Sequence, residues 1–515
     1  MASSFSNGII APSQLLTLAL LSCVSYVCFL LLQARQKRIA FNVPDVKGGL
    51  PFFGVVFNML KGSPWDTMAN WAKEYGSIYS FHLFGSDSLC VSDPNLLKYI
   101  LNTKMSIFKK DLDWVYRPFL VILGNGLVTA HGDSWRKQRN LLSHTLRIDI
   151  LDEIPAMALR AVQRLSKKID ASIAAGTTIN MAEEFRHLTL QVIAEAILSL
   201  SPEESDETFA HMYLPIVEEG NLRTWHPERT FMPFLPAFWE YHASVKKLNG
   251  YVSGLINARR ALRRVEAARP EAGMTSSPVP RKQDVLDKVL QAAPSDADWT
   301  EASLQQVCDE VKTFILAGHE TSASMLTWSL YELSQNQTLR DKLRQQADDV
   351  YGPVKSPIAR ATIPPKDILT AKLDYADCCL RESLRKYSVV PSVVRVCSEP
   401  LVYEKHNIHI PRGTNVMINI QGAHWNEENW PEPATYRPER FYETIKPYTF
   451  LPFVDGPRMC LGQFLSLLES KIVLSLLVQA YDFEVVNTED AGKTHPFMVP
   501  IIPKTGHIMK VTKRY

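Results

Sequence analysis

From Thr300 to Gln335 the chain reads TEASLQQVCDEVKTFILAGHETSASMLTWSLYELSQ, a helical apolar pattern unbroken by proline. The pattern sustains about 33 residues, against about 11–12 for a mean helix. Thr300 reads as the N-cap, and Glu301 stands where the first turn favours an acid. Helical patterning dominates the rest of the body too. Short β-like runs interrupt it at Gly76–Phe84, Pro400–Ile410 and Gly506–Tyr515. The expectation is a mainly α fold with small β-sheets. No repeat with a period of about 20–50 residues is visible.

In the middle of the long pattern stands AGHETS, Ala317–Ser322. Gly318 costs a helix interior about 1 kcal/mol against alanine. Glu320 and Thr321 lie in an otherwise apolar section. A glycine followed by an acid and a hydroxyl predicts a local break where a ligand approaches and protons move. The plainer reading is that Thr321 bonds back to its own helix and Glu320 points to solvent. The motif alone leaves both open.

The N-terminal run Leu15–Leu32, LLTLALLSCVSYVCFLLL, carries no charge and is followed by Arg35, Lys37 and Arg38. At about 1.5 Å per residue it spans about 27 Å, close to the hydrocarbon thickness of a bilayer. A cleaved signal peptide would carry its positive charge before a shorter apolar run. The expectation is an uncleaved transmembrane helix over 15–33, after a short segment 1–14, with the body in the cytosol. Residues 34–51 read as a basic, Pro/Gly-marked hinge, and 52–515 as one large body. The stretch Ala268–Asp284, rich in Pro, Ser and Gly, reads as a mobile surface loop. Lys+Arg is 56 and Asp+Glu is 54, a balance that gives no reason to expect a nucleic-acid partner.

Eight cysteines are spread without a CxxC pair, so neither a disulfide scaffold nor a zinc ribbon is indicated. One of them, Cys460, sits in FVDGPRMCLG, Phe453–Gly462. The bland reading is a small buried hydrophobe. The other is a thiolate, a strong ligand for haem iron. Glycine backbone near the sulfur would donate to it and lower its basicity, and Gly456 and Gly462 permit such an approach. Arg458 is placed to neutralise a haem propionate. The apolar stretch after Leu461 predicts a helix carrying the loop on a buried face.

FVDGPRMCLG resembles the haem-binding signature of the cytochrome P450 family, Phe-x-x-Gly-x-Arg-x-Cys-x-Gly. All five fixed positions match: Phe453, Gly456, Arg458, Cys460 and Gly462. A chance match in a chain this long is roughly one in ten thousand. AGHETS resembles the family's oxygen-activating helix. Glu382 and Arg385 in ESLR match its Glu-x-x-Arg, Arg440 in PERF its third partner, and Trp135 and Arg139 in WRKQR its Trp-x-x-x-Arg. The order is the family's, and the likeness spans essentially the whole chain. The hinge is looser than the family's Pro-Pro-Gly-Pro, and Ser466 stands where alanine is common.

The resemblance implies the cytochrome P450 fold behind an N-terminal anchor, and haem b with Cys460 as axial thiolate. It implies propionate contacts from Trp135, Arg139, Arg395 and Arg458, a buried Glu382–Arg385–Arg440 network, and proton handling by Glu320 and Thr321. It implies a monooxygenase that inserts one atom of O2 into a lipophilic substrate by hydroxylation or epoxidation. No flavin or nicotinamide fingerprint is visible, so a separate reductase is expected; the resemblance implies NADPH-cytochrome P450 reductase, with cytochrome b5 as a candidate second donor. The expected setting is the endoplasmic reticulum membrane. Asp113–Leu127, Val389–Val394 and Phe497–Ile502 fall where the family lines its pocket and are largely apolar. The aromatic run Phe231–Tyr241 would dip into the membrane surface. A peroxide isomerase or dehydratase, and a haem sensor without turnover, are the rival readings; neither requires Glu320 and Thr321.

Overall fold

The computed structural model describes residues 20–27, 39, 41–144, 146, 150–226, 228–267, 283–291, 299–354, 358 and 362–514. Its longer helices are α1 (Gly132–His144), α2 (Ile154–Ala175), α3 (Met181–Leu198), α4 (His211–Trp225), α5 (Pro236–Ala267), α6 (Glu301–Gln335), α7 (Gln337–Tyr351), α8 (Asp374–Tyr387) and α9 (Gln463–Ala480). The strands are β1 (Ile78–Leu83), β2 (Ser86–Val91), β3 (Phe108–Lys110), β4 (Ile179–Asn180), β5 (Ser392–Cys397), β6 (Leu401–Tyr403), β7 (Ile408–Ile410), β8 (Asn415–Asn419), β9 (Tyr481–Val485) and β10 (Ile508–Lys513). They form a five-stranded sheet in the order β1-β2-β8-β5-β3, a three-stranded sheet β4-β10-β9 and the hairpin β6-β7. Within the largest sheet β2 and β8 pair in parallel and the other described strand pairs are antiparallel. The fold is mainly α with small sheets, as the patterning predicts.

Helix α6 is the axis of the body. It has 35 residues, about 52 Å of helix, and the Thr300 hydroxyl caps it by accepting from the Ser303 N–H at 3.2 Å. It packs along α3, and both belong to the main hydrophobic core with α2, α8 and α9. No break occurs at AGHETS: α6 is helical without interruption. Gly318 has a packing role instead. A Cβ there would stand 2.7 Å from two side-chain carbons of Ile193 on α3, so glycine is what lets the two helices touch.

Helix α9 departs from expectation in the same direction. It is buried on nearly every side rather than along one face, which is how a helix apolar all round behaves. Among the described residues it is the one helix long and apolar enough to cross a membrane, and its burial marks it as core. Of the expected anchor, residues 20–27 are described and are helical and exposed; the remainder lies outside the described residues. Most of the expected loop Ala268–Asp284 also lies outside them, but its last residue is no surface loop. Asp284 is buried and paired with Arg259 at 2.6 Å. The described cysteines are all free.

Candidate functional site

The Cys460 loop is shaped by backbone. Gly456 has φ +80, and a Cβ there would lie 2.4 Å from the Leu101 carbonyl oxygen, so the turn needs glycine. The Cys460 N–H donates to the Phe453 carbonyl at 2.9 Å and closes the loop. Gly462 is the N-cap of α9, and its Cβ position is 4.0 Å from the Cys460 sulfur. The sulfur therefore sits at the positive end of a long helix. Cys460 is itself accessible. Desolvation raises its thiol pKa, and the N–H of Gly462, the charge of Arg139 and the N–H of Gln463 pull it back down.

Basic side chains gather beside the loop. Arg395 on β5 is buried and donates to the Val394 carbonyl at 2.9 Å. Arg458 donates to the Ala130 carbonyl at 2.9 Å and lies over the buried Trp135 ring, 4.2 Å from its centroid. Lys110 on β3 is paired in register with Arg395 and lies 5.0 Å from the Tyr116 ring centroid. None of Lys110, Arg395 and Arg458 has an ion pair with a carboxylate among the described residues. Desolvation, then Arg395 and Arg458, push the Lys110 pKa well below its usual value. Desolvation and then Arg395 bring Arg458 down to about 10, with Arg139 adding to the repulsion. Cations massed without a counter-charge fit a dianionic ligand. The residues expected to face haem propionates, Trp135, Arg139, Arg395 and Arg458, come together here. Lys110 was not legible in the sequence, because only the β3–β5 register brings it in.

Helix α6 carries the second half of the site. Ala317, Gly318 and Thr321 are accessible although their neighbours His319, Glu320 and Ser322 are buried, so they form one accessible strip on this part of α6. Ser322 Oγ is 2.8 Å from Ser466 Oγ, which ties this part of α6 to the first turns of α9, just past Cys460. Thr321 Oγ1 donates to the Ala317 carbonyl at 2.8 Å, as the plainer reading of the motif held. Glu320 does not point to solvent. Its Oε1 accepts from Arg186 Nη2 at 2.8 Å and Nε at 3.1 Å, and lies 3.2 Å from His319 Nε2. Burial alone would raise the Glu320 pKa; His319 and then Arg186 reverse this and hold it at about 2. Arg186 pairs in turn with Glu183 and Glu218, at 3.3 and 3.4 Å. Arg186 is 134 positions from Glu320, and no local pattern announces it.

The third expected group is complete. Glu382 takes Arg385 through both oxygens, at 2.8 and 2.9 Å, and Arg440 Nε at 3.1 Å. The remaining guanidinium N–H groups go to backbone carbonyls of His424, Pro431, Glu432 and Pro433.

A thiol at a helix N-terminus beside uncountered cations is what a haem-thiolate protein offers its cofactor. The comparisons are more specific: the family described as Cytochrome P450 matches residues 44–510, and the chain belongs to it. It is 25% identical to cytochrome P450 4c21 of Blattella germanica over 493 residues, 93% of this chain and 95% of that protein. It is 27% identical to cytochrome P450 4F8 of Homo sapiens, covering 74% of this chain and 73% of that protein. It is 28% identical to a cytokinin hydroxylase of Arabidopsis thaliana, covering 81% and 77%. The chain is thus a cytochrome P450 monooxygenase whose cofactor is haem with a cysteine-ligated iron. The family works with a redox partner, O2 and a hydrophobic substrate.

Proposed function

We propose that the chain hydroxylates or epoxidises a lipophilic substrate with haem b held by the Cys460 thiolate. The observation that carries this is the Cys460 loop, closed by Phe453 and set at the N-terminus of α9 by Gly462, beside Lys110, Arg395 and Arg458, which have no carboxylate partner among the described residues. Trp135, Arg139, Arg395 and Arg458 would hold the haem carboxylates. When bound, the haem supplies the oxidising chemistry that transfers one atom of O2. The chain's own task is to bind the substrate, exclude water and deliver protons. Glu320 would feed protons toward Thr321, whose hydroxyl lies on the accessible face of α6.

The partly buried stretches Val389–Val394 and Phe497–Ile502 support an apolar pocket. Phe231, Phe234 and Trp239 are 48%, 76% and 63% exposed, which supports docking of this rim on lipid. Arg117 lies over the Phe231 ring at 4.7 Å, close in sequence to Trp114, which is also exposed. An N-terminal anchor over 15–33 would place residues 52–515 on the cytosolic face of the endoplasmic reticulum. NADPH-cytochrome P450 reductase, with cytochrome b5, would deliver electrons; the exposed Arg136 and Lys137 on α1 suit an acidic partner. The test is reductase-dependent turnover in Glu320→Gln and Thr321→Ala. Turnover lost with haem retained supports the reading; turnover kept in both refutes it.

A further inference from the structure

His319 is fully enclosed, and its ring is fixed at both nitrogens. Nδ1 lies 3.0 Å from the Ile315 carbonyl oxygen, and Nε2 lies 3.2 Å from Glu320 Oε1. A carbonyl oxygen only accepts, so Nδ1 carries a hydrogen. A neutral imidazole would then turn the bare lone pair of Nε2 toward a carboxylate oxygen, and two lone pairs do not attract. One further proton must lie in that contact.

The surroundings decide which partner holds it. Arg186 on α3 gives the same oxygen two N–H groups, and so favours the carboxylate. Glu183 and Glu218 face Arg186 from α3 and α4. Tyr213 on α4 stands edge-on to the imidazole, with ring centroids 5.3 Å apart. Arg186 and a charged imidazole then meet three carboxylates, one of which, Glu183, also lies 3.4 Å from His187 Nε2, and the imidazolium is compensated.

We propose that His319 is an imidazolium held against Glu320, and that this pair stores the proton passed toward Thr321. The proposal rests on the assignment of Glu320 and Thr321 to proton handling. Every donor reaches Oε1; Oε2 takes no hydrogen bond from the described residues and is not among the sealed atoms. A proton that crosses from Nε2 to the carboxylate leaves a neutral imidazole and a neutral carboxylic acid. Release of that proton restores the carboxylate, and a proton from water restores the imidazolium. No electron moves and no other bond changes. His319 acts through Glu320 and is a positioning residue.

The experiment uses the full-length, haem-loaded protein labelled with nitrogen-15 in histidine. The His319 signals, identified by their loss in His319→Gln, should show both ring nitrogens protonated at pH 7.5. In Glu320→Gln, with the carboxylate gone, Nε2 of His319 should lose its proton at pH 7.5. A bare Nε2 at pH 7.5 in the unaltered chain overturns the proposal. The second readout is the fraction of consumed NADPH recovered as hydrogen peroxide with reductase present. It should rise about twofold or more in His319→Gln with haem content retained; an unchanged fraction overturns proton storage. If Glu320→Gln also leaves that fraction unchanged, the assignment of Glu320 has failed, while the nitrogen signals still decide the charge of His319.

Discussion

Two buried groups of charge in this molecule are built on opposite plans. Around Glu382 the cations share a carboxylate: it takes two arginines, and their spare N–H groups end on backbone carbonyls. Around Cys460 the plan is reversed. Lys110, Arg395 and Arg458 approach one another with no carboxylate among the described residues to balance them; Arg395 and Arg458 depress the Lys110 pKa, and Arg395 depresses that of Arg458. A closed network gains from every member and collapses when one is removed. An open cluster costs stability until a ligand brings the missing charge. The difference separates a group suited to hold the fold from a group suited to take an anionic ligand.

The largest effect should come from breaking the closed network. Glu382→Ala leaves Arg385 and Arg440 buried and unpaired, and should cost about 3–5 kcal/mol. Thermal unfolding should show a strongly lowered midpoint, and the chain should fail to retain haem. The open cluster should respond with the opposite sign. Arg395→Met removes one of several repelling cations, so the protein fold should not be weakened. The haem should escape faster, because one charge-assisted hydrogen bond is lost, worth about 1.5–3 kcal/mol. Transfer of haem to excess apomyoglobin, about tenfold faster or more, is the measurement. A fold destabilised as much as by Glu382→Ala would erase the distinction.

Glu320 stands between the two plans, and its pH dependence should show it. Its carboxyl is held at about 2 against an ordinary 4.5, so the folded protein binds fewer protons than the unfolded chain in between. The stabilisation is present above about 4.5 and is lost as pH falls toward 2, by on the order of 3 kcal/mol. Denaturant titrations from pH 6 to pH 3 should show a shallower decline in Glu320→Gln. The smallest effect belongs to Glu310, one of the buried acids of α6. It accepts the Leu127 N–H at 3.0 Å, yet desolvation raises its pKa to about 7. Here the folded protein keeps the proton longer than the unfolded chain, so stability falls as pH rises from about 4.5 to 7. Glu310→Gln should therefore gain on the parent chain at pH 8, by about 1–2 kcal/mol.

What could be read in the sequence is what lies close together in it. The Phe453–Gly462 loop, the Glu382–Arg385 spacing and the Thr300 cap are local patterns, and each is found where the residues placed it. The misreadings arose where a distant element decided the outcome. Gly318 looked like a helix break and proved to be the place where Ile193 of another helix comes close. The motif alone leaves Glu320 open between proton handling and facing solvent, because Arg186, on α3, cannot be seen from AGHETS. Lys110 reaches the cation cluster only through the pairing of β3 with β5. His319 lay inside the motif itself, and an acid next to a histidine with a carbonyl four residues back was the signal available.

The central claim is that Cys460 gives its thiolate to a haem iron. The most direct test is the absorption difference spectrum of the reduced chain with and without carbon monoxide, taken alongside Cys460→Ala. The account predicts a strongly red-shifted Soret band in the unaltered chain and none in the variant. The same red-shifted band in Cys460→Ala, or a band of the histidine-ligated kind in the unaltered chain, would contradict it.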